Sequence, residues 1–597
     1  MAFAEQYKPD NWWHSFRGVK TGAIRYRATL LFSPGPAACI QLHVAAKKTK
    51  SIISEINMNT SSFFFAALLG LLISCMIGYE AFPVGDDFAY GPLTEHRINP
   101  ALFVNDDQLR LFENHAYVYE WVYRTGRATI GVEPAFRLGV WLLAMITSVA
   151  IWSLLRALEA PVAALPIVLG LSVVVQLDGM GRGDFGGLTS TFFHHHNVAL
   201  TFVIGAVAAA LFRKNWLAGL FLGLATYAQP MTAFHGAIVI GLGSLVRNPL
   251  DAVKLAAAAG VVAFPVAIWL FEAILKEPDI IVTFDLITDA YRFRAPAHYD
   301  PPWFDIMITT LYLLAGYAGA ALLHREKSSI ARFAVGLLLG FTLLHFVTLV
   351  VYKVAIAEWV GFFILDANRS TPVLFTVNTS LAVAGMWLAK TGRGVWLTGI
   401  LLATLLFLNM TPAGLVLIAI GVAMAVAGDL PRTQTSALCG VGAALLILFP
   451  AQPRPPYLPE STLLALEQIR TETPVDALFI IPVSLMEFRQ YAQRSAYVDF
   501  KLFSVAQPDQ ASLTRARIEE VARPAPEHRS VRGWGAAYLW DDEQNRQATC
   551  ANMAEMLGTT GAQYYLRRVS SEETAPECPD LPRPILTKTL ALYGSME

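Results

Sequence analysis

Two adjacent aspartates, Asp86 and Asp87, lie in the segment Phe82-Pro83-Val84-Gly85-Asp86-Asp87-Phe88, just beyond the first long apolar stretch of the chain. Paired carboxylates so near hydrocarbon are costly unless water, a cation or a substrate uses them. A second cluster reads Asp178-Gly179-Met180-Gly181-Arg182-Gly183-Asp184, followed by His194-His195-His196-Asn197. Arg182 offers an anion contact, Asp184 a carboxylate, and His194, His195 and His196 are potential ligands or proton carriers. Consecutive histidines are not a metal motif by spacing, because neighbours on a helix point about 100° apart. Metal ligation and a hydrogen-bonding or substrate-contacting role both stay open for them.

Three further clusters add polar chemistry. Gln229-Pro230, with His235 about a turn on, is either a broken helix with freed carbonyls beside a cavity or a tight helix–helix turn. Arg292, Arg294 and His298, and later Arg369, suit a phosphate because guanidinium groups bind phosphate oxygens bidentately, although anionic headgroups would suit them as well. Phe488, Arg489, Arg494, Tyr497, Asp499 and Lys501 form a polar-aromatic patch that reads as substrate-contacting or as ordinary soluble surface.

Membrane spans must position these groups. The 597 residues are 55% hydrophobic and 15% charged, with a mean hydropathy of +0.46, far from a soluble enzyme. A span needs roughly 20 apolar residues. Candidates fall at 62–79, 135–155, 161–177, 197–212, 216–228, 232–246, 255–275, 304–323, 333–352, 371–389, 395–410, 412–428 and 436–450. The expected fold is a polytopic α-helical membrane protein of about 11–14 spans with a C-terminal extracytoplasmic α/β domain. Lys47, Lys48 and Lys50 precede the first span, and Arg156, Arg213, Arg247, Arg325, Lys390 and Arg432 mark alternate boundaries. The positive-inside tendency therefore puts the N-terminus in the cytoplasm and the region after Pro450 outside it. The net charge of −1 says nothing about partners.

Residues 1–57 lack helical periodicity and read as a poorly ordered N-terminal extension, with Met58 a natural start and no cleavage site after the first span. Residues 58–451 form the expected transmembrane domain, including an external loop at 80–133. In that loop Leu109, Phe112, Ala116 and Tyr119 recur at helical spacing, which predicts one amphipathic interfacial helix. Residues 452–597 read as a soluble α/β domain, with strands at 477–482, 495–500 and 563–569 and helices at 509–521 and 543–557. Five cysteines occur, and Cys550 and Cys578 share this domain, so they could pair in an oxidising compartment. The chain carries no Walker loop, dinucleotide-binding glycine pattern, zinc-protease motif or long basic nucleic-acid patch.

The acidic motif Gly85-Asp86-Asp87 after the first span, the long external loop, the many spans and the external C-terminal domain together resemble the GT-C superfamily of membrane glycosyltransferases. The likeness is architectural over residues 60–597, and only the acidic motif matches residue by residue. Arg294-Ala295-Pro296-Ala297-His298 and the run from Phe488 to Lys501 also look like segments of bacterial polytopic proteins grouped near that superfamily.

The resemblance implies transfer of a sugar from a polyprenyl-phosphate donor to a glycan, lipid or protein acceptor at the outer face of a bacterial inner (plasma) membrane. Membrane lipids are the other expected partners, and nucleic acid is not one. On this reading Asp86 or Asp87 is the base, Arg292, Arg294 and Arg369 face the phosphate, and His194 to His196 and Gln229 line the acceptor or sugar pocket. Members differ in metal dependence, so no cofactor is assigned and a divalent cation is an open possibility. Two alternatives compete: a transporter or lipid-handling protein, and a non-catalytic assembly subunit of the same fold. For the latter, an occluded or charge-compensated Asp86-Asp87 pair is the expected sign.

Overall fold

The computed structural model describes residues 60–75, 77–80, 82–112, 117–172, 192–275, 303–353, 367–389, 399, 417–422, 424, 453–454, 458–502, 508–522, 543–569, 575–582 and 585–594. The apolar stretches fold as helices: α1 (Thr60–Cys75), then, after the strand β1 (Tyr79–Glu80), α2 (Asp87–Ile98), α3 (Asp107–Leu111), α4 (Tyr117–Ala128), α5 (Val132–Ala157) and α6 (Ala164–Ser172). The series continues with α7 (His195–Leu211), α8 (Asn215–Ala228), α9 (Pro230–Arg247), α10 (Pro249–Leu275), α11 (Trp303–Glu326), α12 (Ser328–Val347) and α13 (Thr371–Ala389). Among the described residues, five helices are long and apolar enough to cross a membrane: Val132–Ala157, Pro249–Trp269, Trp303–Arg325, Ser328–Val350 and Thr371–Ala389. The stretches expected at 395–410, 412–428 and 436–450 lie wholly or mostly outside the described residues, as does the extension at 1–57.

α7 is the centre of the bundle. It packs on α5, α8 and α9, and most of its length is buried. Two of its polar side chains pair with neighbouring helices: the Thr147 and Thr201 hydroxyls bond at 2.6 Å between α5 and α7, and His196 Nδ1 pairs with Thr232 Oγ1 of α9 at 2.9 Å. At the far end, Arg247 of α9 donates to the Ala210 carbonyl in the last turn of α7 at 2.6 Å and to Asn215 Oδ1 of α8 at 3.1 Å, a cation placed where the helix dipole favours one.

The interfacial helix expected from Leu109 to Tyr119 is divided. α3 stops at Leu111, with Phe112 leaving the helical region at φ −80°, ψ 80°, and the amphipathic helix is α4, beginning at Tyr117. Leu109 and Phe112 turn into a cluster with Ala89, Leu93 and Leu502, while Tyr119 joins Tyr79, Tyr123, Phe136 and Phe193. The apolar spacing is real, but its two halves serve different cores.

Beyond the pair of residues β2 (Pro453–Arg454) the chain forms α14 (Glu460–Glu472), β3 (Leu478–Ile480), α15 (Phe488–Ala492), β4 (Ser495–Ala496), α16 (Pro508–Ala522), α17 (Cys550–Thr560), β5 (Tyr564–Arg568), β6 (Ile585–Leu586) and β7 (Leu590–Gly594). Five strands make one mixed sheet in the order β4-β3-β5-β7-β6, with β3 parallel to β4 and β5 and with β7 antiparallel to its neighbours. The strands expected at 477–482, 495–500 and 563–569 are present but shorter, and β6 and β7 add an edge that the alternation did not reveal. The helix expected from 543 divides as well: a capping box on Thr549 and Asn552 starts α17 at Cys550. Cys550 and Cys578 form a disulfide. A short parallel pairing of β1 with β2 joins the chain just after α1 to the start of the C-terminal segment, and everything from Ser61 to Glu597 belongs to one unit.

The bundle depends on close helix contact. A Cβ added at Gly319 of α11 would lie 2.3 Å from the Leu381 carbonyl oxygen of α13, and one at Gly385 would lie 2.6 Å from the Gly319 oxygen. The obstacle is backbone on both sides, so it cannot swing away. Gly319→Val should lower stability by about 1–3 kcal/mol or more through overpacking, read as a lower thermal midpoint in detergent. Gly241→Ala, where nothing stands within 4 Å, should leave that midpoint unchanged or raise it.

Candidate active site

The first loop turns sharply before α2. Gly85 sits at φ +59°, a left-handed conformation that glycine adopts without strain, and its backbone approaches the Phe192 ring. The turn places Asp86 at the N-cap of α2 and Asp87 at its first position, where the helix dipole favours negative charge. The neighbours nevertheless meet opposite environments.

Asp87 points inward and is only 2% exposed. Its Oδ2 accepts from the Val84 N–H at 2.9 Å, and the buried Tyr119 hydroxyl stands beside it, short of a well-formed hydrogen bond. Burial raises the carboxyl strongly and the charge on Asp86 adds to this, against the weaker pull of Val84 and Tyr119, so its pKa is pushed up to about 8. Asp87 is therefore largely protonated at neutral pH. The same burial beside Asp87 holds the Tyr119 hydroxyl well above its usual range.

Asp86 points outward, with 33% of its side chain exposed. His194 Nε2 lies 2.6 Å from its Oδ2, and Lys501 Nζ donates to its Oδ1 at 2.6 Å. Burial of the surroundings works to raise this carboxyl, but the Lys501 ammonium and the His194 hydrogen bond and charge outweigh it and hold Asp86 well below the ordinary carboxylate value. It is ionised throughout the physiological range.

The histidine run turns its members to different tasks. His194 is the extended N-cap of α7 and bonds Asp86, while His195 stacks on His194 at 4.8 Å and meets the Tyr90 ring edge-on at 5.0 Å. His196 is buried against Thr232. Arg369, in the 3₁₀ turn Ala367–Ser370 beside α9 and α12, is close enough for its charge to reach His195. Gln229 is the N-cap of α9, and His235 is buried one turn into that helix, next to Phe234. Arg182, Asp184, Arg292, Arg294 and His298 lie outside the described residues.

Lys501 belongs to the run from Phe488 that was read as substrate contact or soluble surface. Much of that run is interior instead. Arg489 is fully buried and donates to Asp106 (Nε to Oδ2, 2.6 Å), to Asp499, to Gln108 Oε1 (3.0 Å) and to the Ala496 carbonyl (3.1 Å). Asp106 in turn caps α3 through the Leu109 N–H and receives the Ala496 N–H, while Gln108 bonds the Asp499 backbone in both directions. Asp499 Oδ1 accepts from the Leu502 N–H, fixing the turn that carries Lys501 to Asp86. The sign expected of a non-catalytic subunit, an occluded or charge-compensated pair, is thus present: Lys501 compensates Asp86, and Asp87 is occluded.

Asp86, His194 and His195 also bring one ligand atom each within 4.8 Å of one another. As a metal site the fit is poor. The 2.6 Å separation of Asp86 Oδ2 and His194 Nε2 is a hydrogen-bond distance, shorter than two separate ligands on one ion would adopt, and Lys501 already holds the other oxygen. A carboxylate with two imidazoles is a donor set that Zn²⁺ or Fe²⁺ accepts, so it is the ammonium and the close Asp86–His194 contact, not the ligand types, that stand against an ion here.

A protein-family profile described as "Domain of unknown function (DUF6798)" matches residues 460–521, the stretch that holds Arg489, Asp499 and Lys501. No curated protein matches the sequence significantly. Among solved structures the chain is similar to the Archaeoglobus fulgidus oligosaccharyltransferase in its apo form, with a TM-score of 0.43 and 12% identity over 85% of this chain and 69% of that one. It is similar also to the same enzyme tethered by a disulfide to an acceptor peptide containing the NVT sequon, with a TM-score of 0.42 and 11% identity over the same shares. Likeness at that level carries no argument about this chain.

Two outcomes follow from the geometry. Arg489→Met should cost about 3–5 kcal/mol, because it leaves the buried Asp106 and Asp499 carboxylates without their cation; thermal unfolding in detergent measures it. For Asp87, the folded carboxyl binds a proton that the unfolded chain releases above its ordinary value of 3.8. Stability should therefore fall as pH rises from about 4 to about 8, by at most about 1.4 kcal/mol per unit, and Asp87→Asn should flatten that slope. A slope unchanged in the variant would show that Asp87 is not the group responsible.

Proposed function

We propose that this protein is a membrane glycosyltransferase that moves a sugar from a polyprenyl-phosphate carrier to a glycan, lipid or protein acceptor on the extracytoplasmic side of a bacterial inner membrane. The observation that carries the reading is Asp86: an ionised, partly exposed carboxylate bonded to a histidine, set at the start of α2 where the GT-C resemblance puts the acidic motif. The Cys550–Cys578 disulfide supports an oxidising compartment for the C-terminal segment.

A carboxylate held below its usual range is a weak proton acceptor. The role that fits Asp86 is to hold His194 in one tautomer and stabilise its imidazolium, while the other ring nitrogen takes the acceptor hydroxyl proton. The acceptor oxygen then bonds the anomeric carbon as the bond from that carbon to the phosphate oxygen breaks, and the carboxylate favours the positive charge developing on the sugar. Arg369, with Arg292 and Arg294, is assigned to the departing lipid phosphate.

One observation favours a second reading. Lys501 neutralises Asp86 and Asp87 is buried, which fits a non-catalytic subunit that keeps the fold. The purified protein, assayed with labelled sugars on a panel of polyprenyl phosphates, separates the two. Asp86→Asn and His194→Ala should each lower transfer by about 10²–10⁴-fold, whereas Asp87→Asn, which replaces a carboxyl already neutral, should stay within about tenfold. No transfer from any donor, with lipid binding unaltered in all three variants, would favour the non-catalytic subunit.

A further inference from the structure

Asp86, His194 and His195 are ligand types that a divalent transition metal accepts, but the place beside Asp86 Oδ1 is already taken. What it does hold is an ammonium. Lys501 Nζ sits 2.6 Å from Asp86 Oδ1, with 12% of its side chain exposed, at a separation of 415 residues along the chain. This is not an incidental surface pair. The turn bearing Lys501 is fixed by the Leu502 N–H bond to Asp499, Asp499 is locked by Arg489 and Gln108, and all three of those residues are fully buried. A long flexible lysine is thereby delivered to one oxygen of one carboxylate, with His194 closing the other.

We propose that Lys501 is a positioning residue that takes the place of a divalent cation at Asp86, so that the C-terminal segment supplies the positive charge of the site and keeps metal ions out. The ammonium sets the carboxylate rotamer and leaves His194 on the opposite oxygen. It supplies one positive charge where a metal would supply two, and it cannot be removed by a chelator. The site is complete only when the C-terminal segment is docked on the first loop. The inference rests on the transferase reading for its activity arm alone.

The test uses the full-length protein in detergent and reads bound Mn²⁺ by electron paramagnetic resonance, which needs no turnover. Wild type and Lys501→Arg should bind no Mn²⁺ at Asp86. Lys501→Met, which keeps the aliphatic stem and removes the charge, should gain a saturable Mn²⁺ ion that is lost again in the Lys501→Met/Asp86→Asn double variant. In the transfer assay wild type should be unchanged by EDTA, Lys501→Met should lose about 10²-fold or more, and Lys501→Arg should retain most of the rate. The proposal is overturned if wild type binds a Mn²⁺ ion that Asp86→Asn abolishes, if Lys501→Met still binds none, or if EDTA silences the wild-type enzyme. If no transfer is found in any form, the Mn²⁺ titration still decides the role of Lys501, so failure of the transferase reading and failure of this one are told apart.

Discussion

A single buried guanidinium ties the C-terminal segment to the first loop. Arg489 has no access to water, and its charge is tolerated only because Asp106 comes from the first loop and Asp499 from its own segment, with Gln108 and the Ala496 carbonyl taking the remaining N–H groups. A cation so placed must be paired or it would not stay charged in the interior. Because its partners lie on both sides of a gap of 383 residues, satisfying Arg489 and docking the C-terminal segment are one event. The cap of α3, the edge strand β4 and the turn carrying Lys501 all draw on the same two carboxylates.

The contrast between Asp86 and Asp87 follows from that docking. Two identical side chains on successive residues of one turn end in opposite protonation states, because one faces Tyr119 and the aromatic cluster of the loop and the other faces a lysine and a histidine. Local sequence cannot impose such a difference. It arises from which face of the α2 N-terminus the rest of the chain covers.

The helices were legible because their signal is local: long apolar runs punctuated by basic boundaries predict α5, α10, α11, α12 and α13 with little displacement. The first-loop helix was misread because Leu109, Phe112 and Tyr119 have a common period while packing into two separate clusters, a distinction that only tertiary contact makes. At the site, Asp86 and His194 could be picked out by residue type near a span. Lys501 was seen, but only as part of a patch that read equally well as soluble surface, since neither the burial of Arg489 nor the reach of Lys501 to the first loop leaves a mark in spacing. β6 and β7 were missed because short strands in a small mixed sheet lack a full alternation.

The distance along the chain between Asp86 and Lys501 has a consequence in time. Synthesis proceeds at about 5–20 residues per second, so the aspartate emerges on the order of 20–80 s before the lysine that neutralises it. Throughout that interval the first loop, with Asp106 also waiting for Arg489, is in place without its partners. A chain cut short before Lys501 would carry Asp86 with His194 as its one side-chain partner here and Asp106 without its guanidinium, two carboxylates exposed by the same truncation.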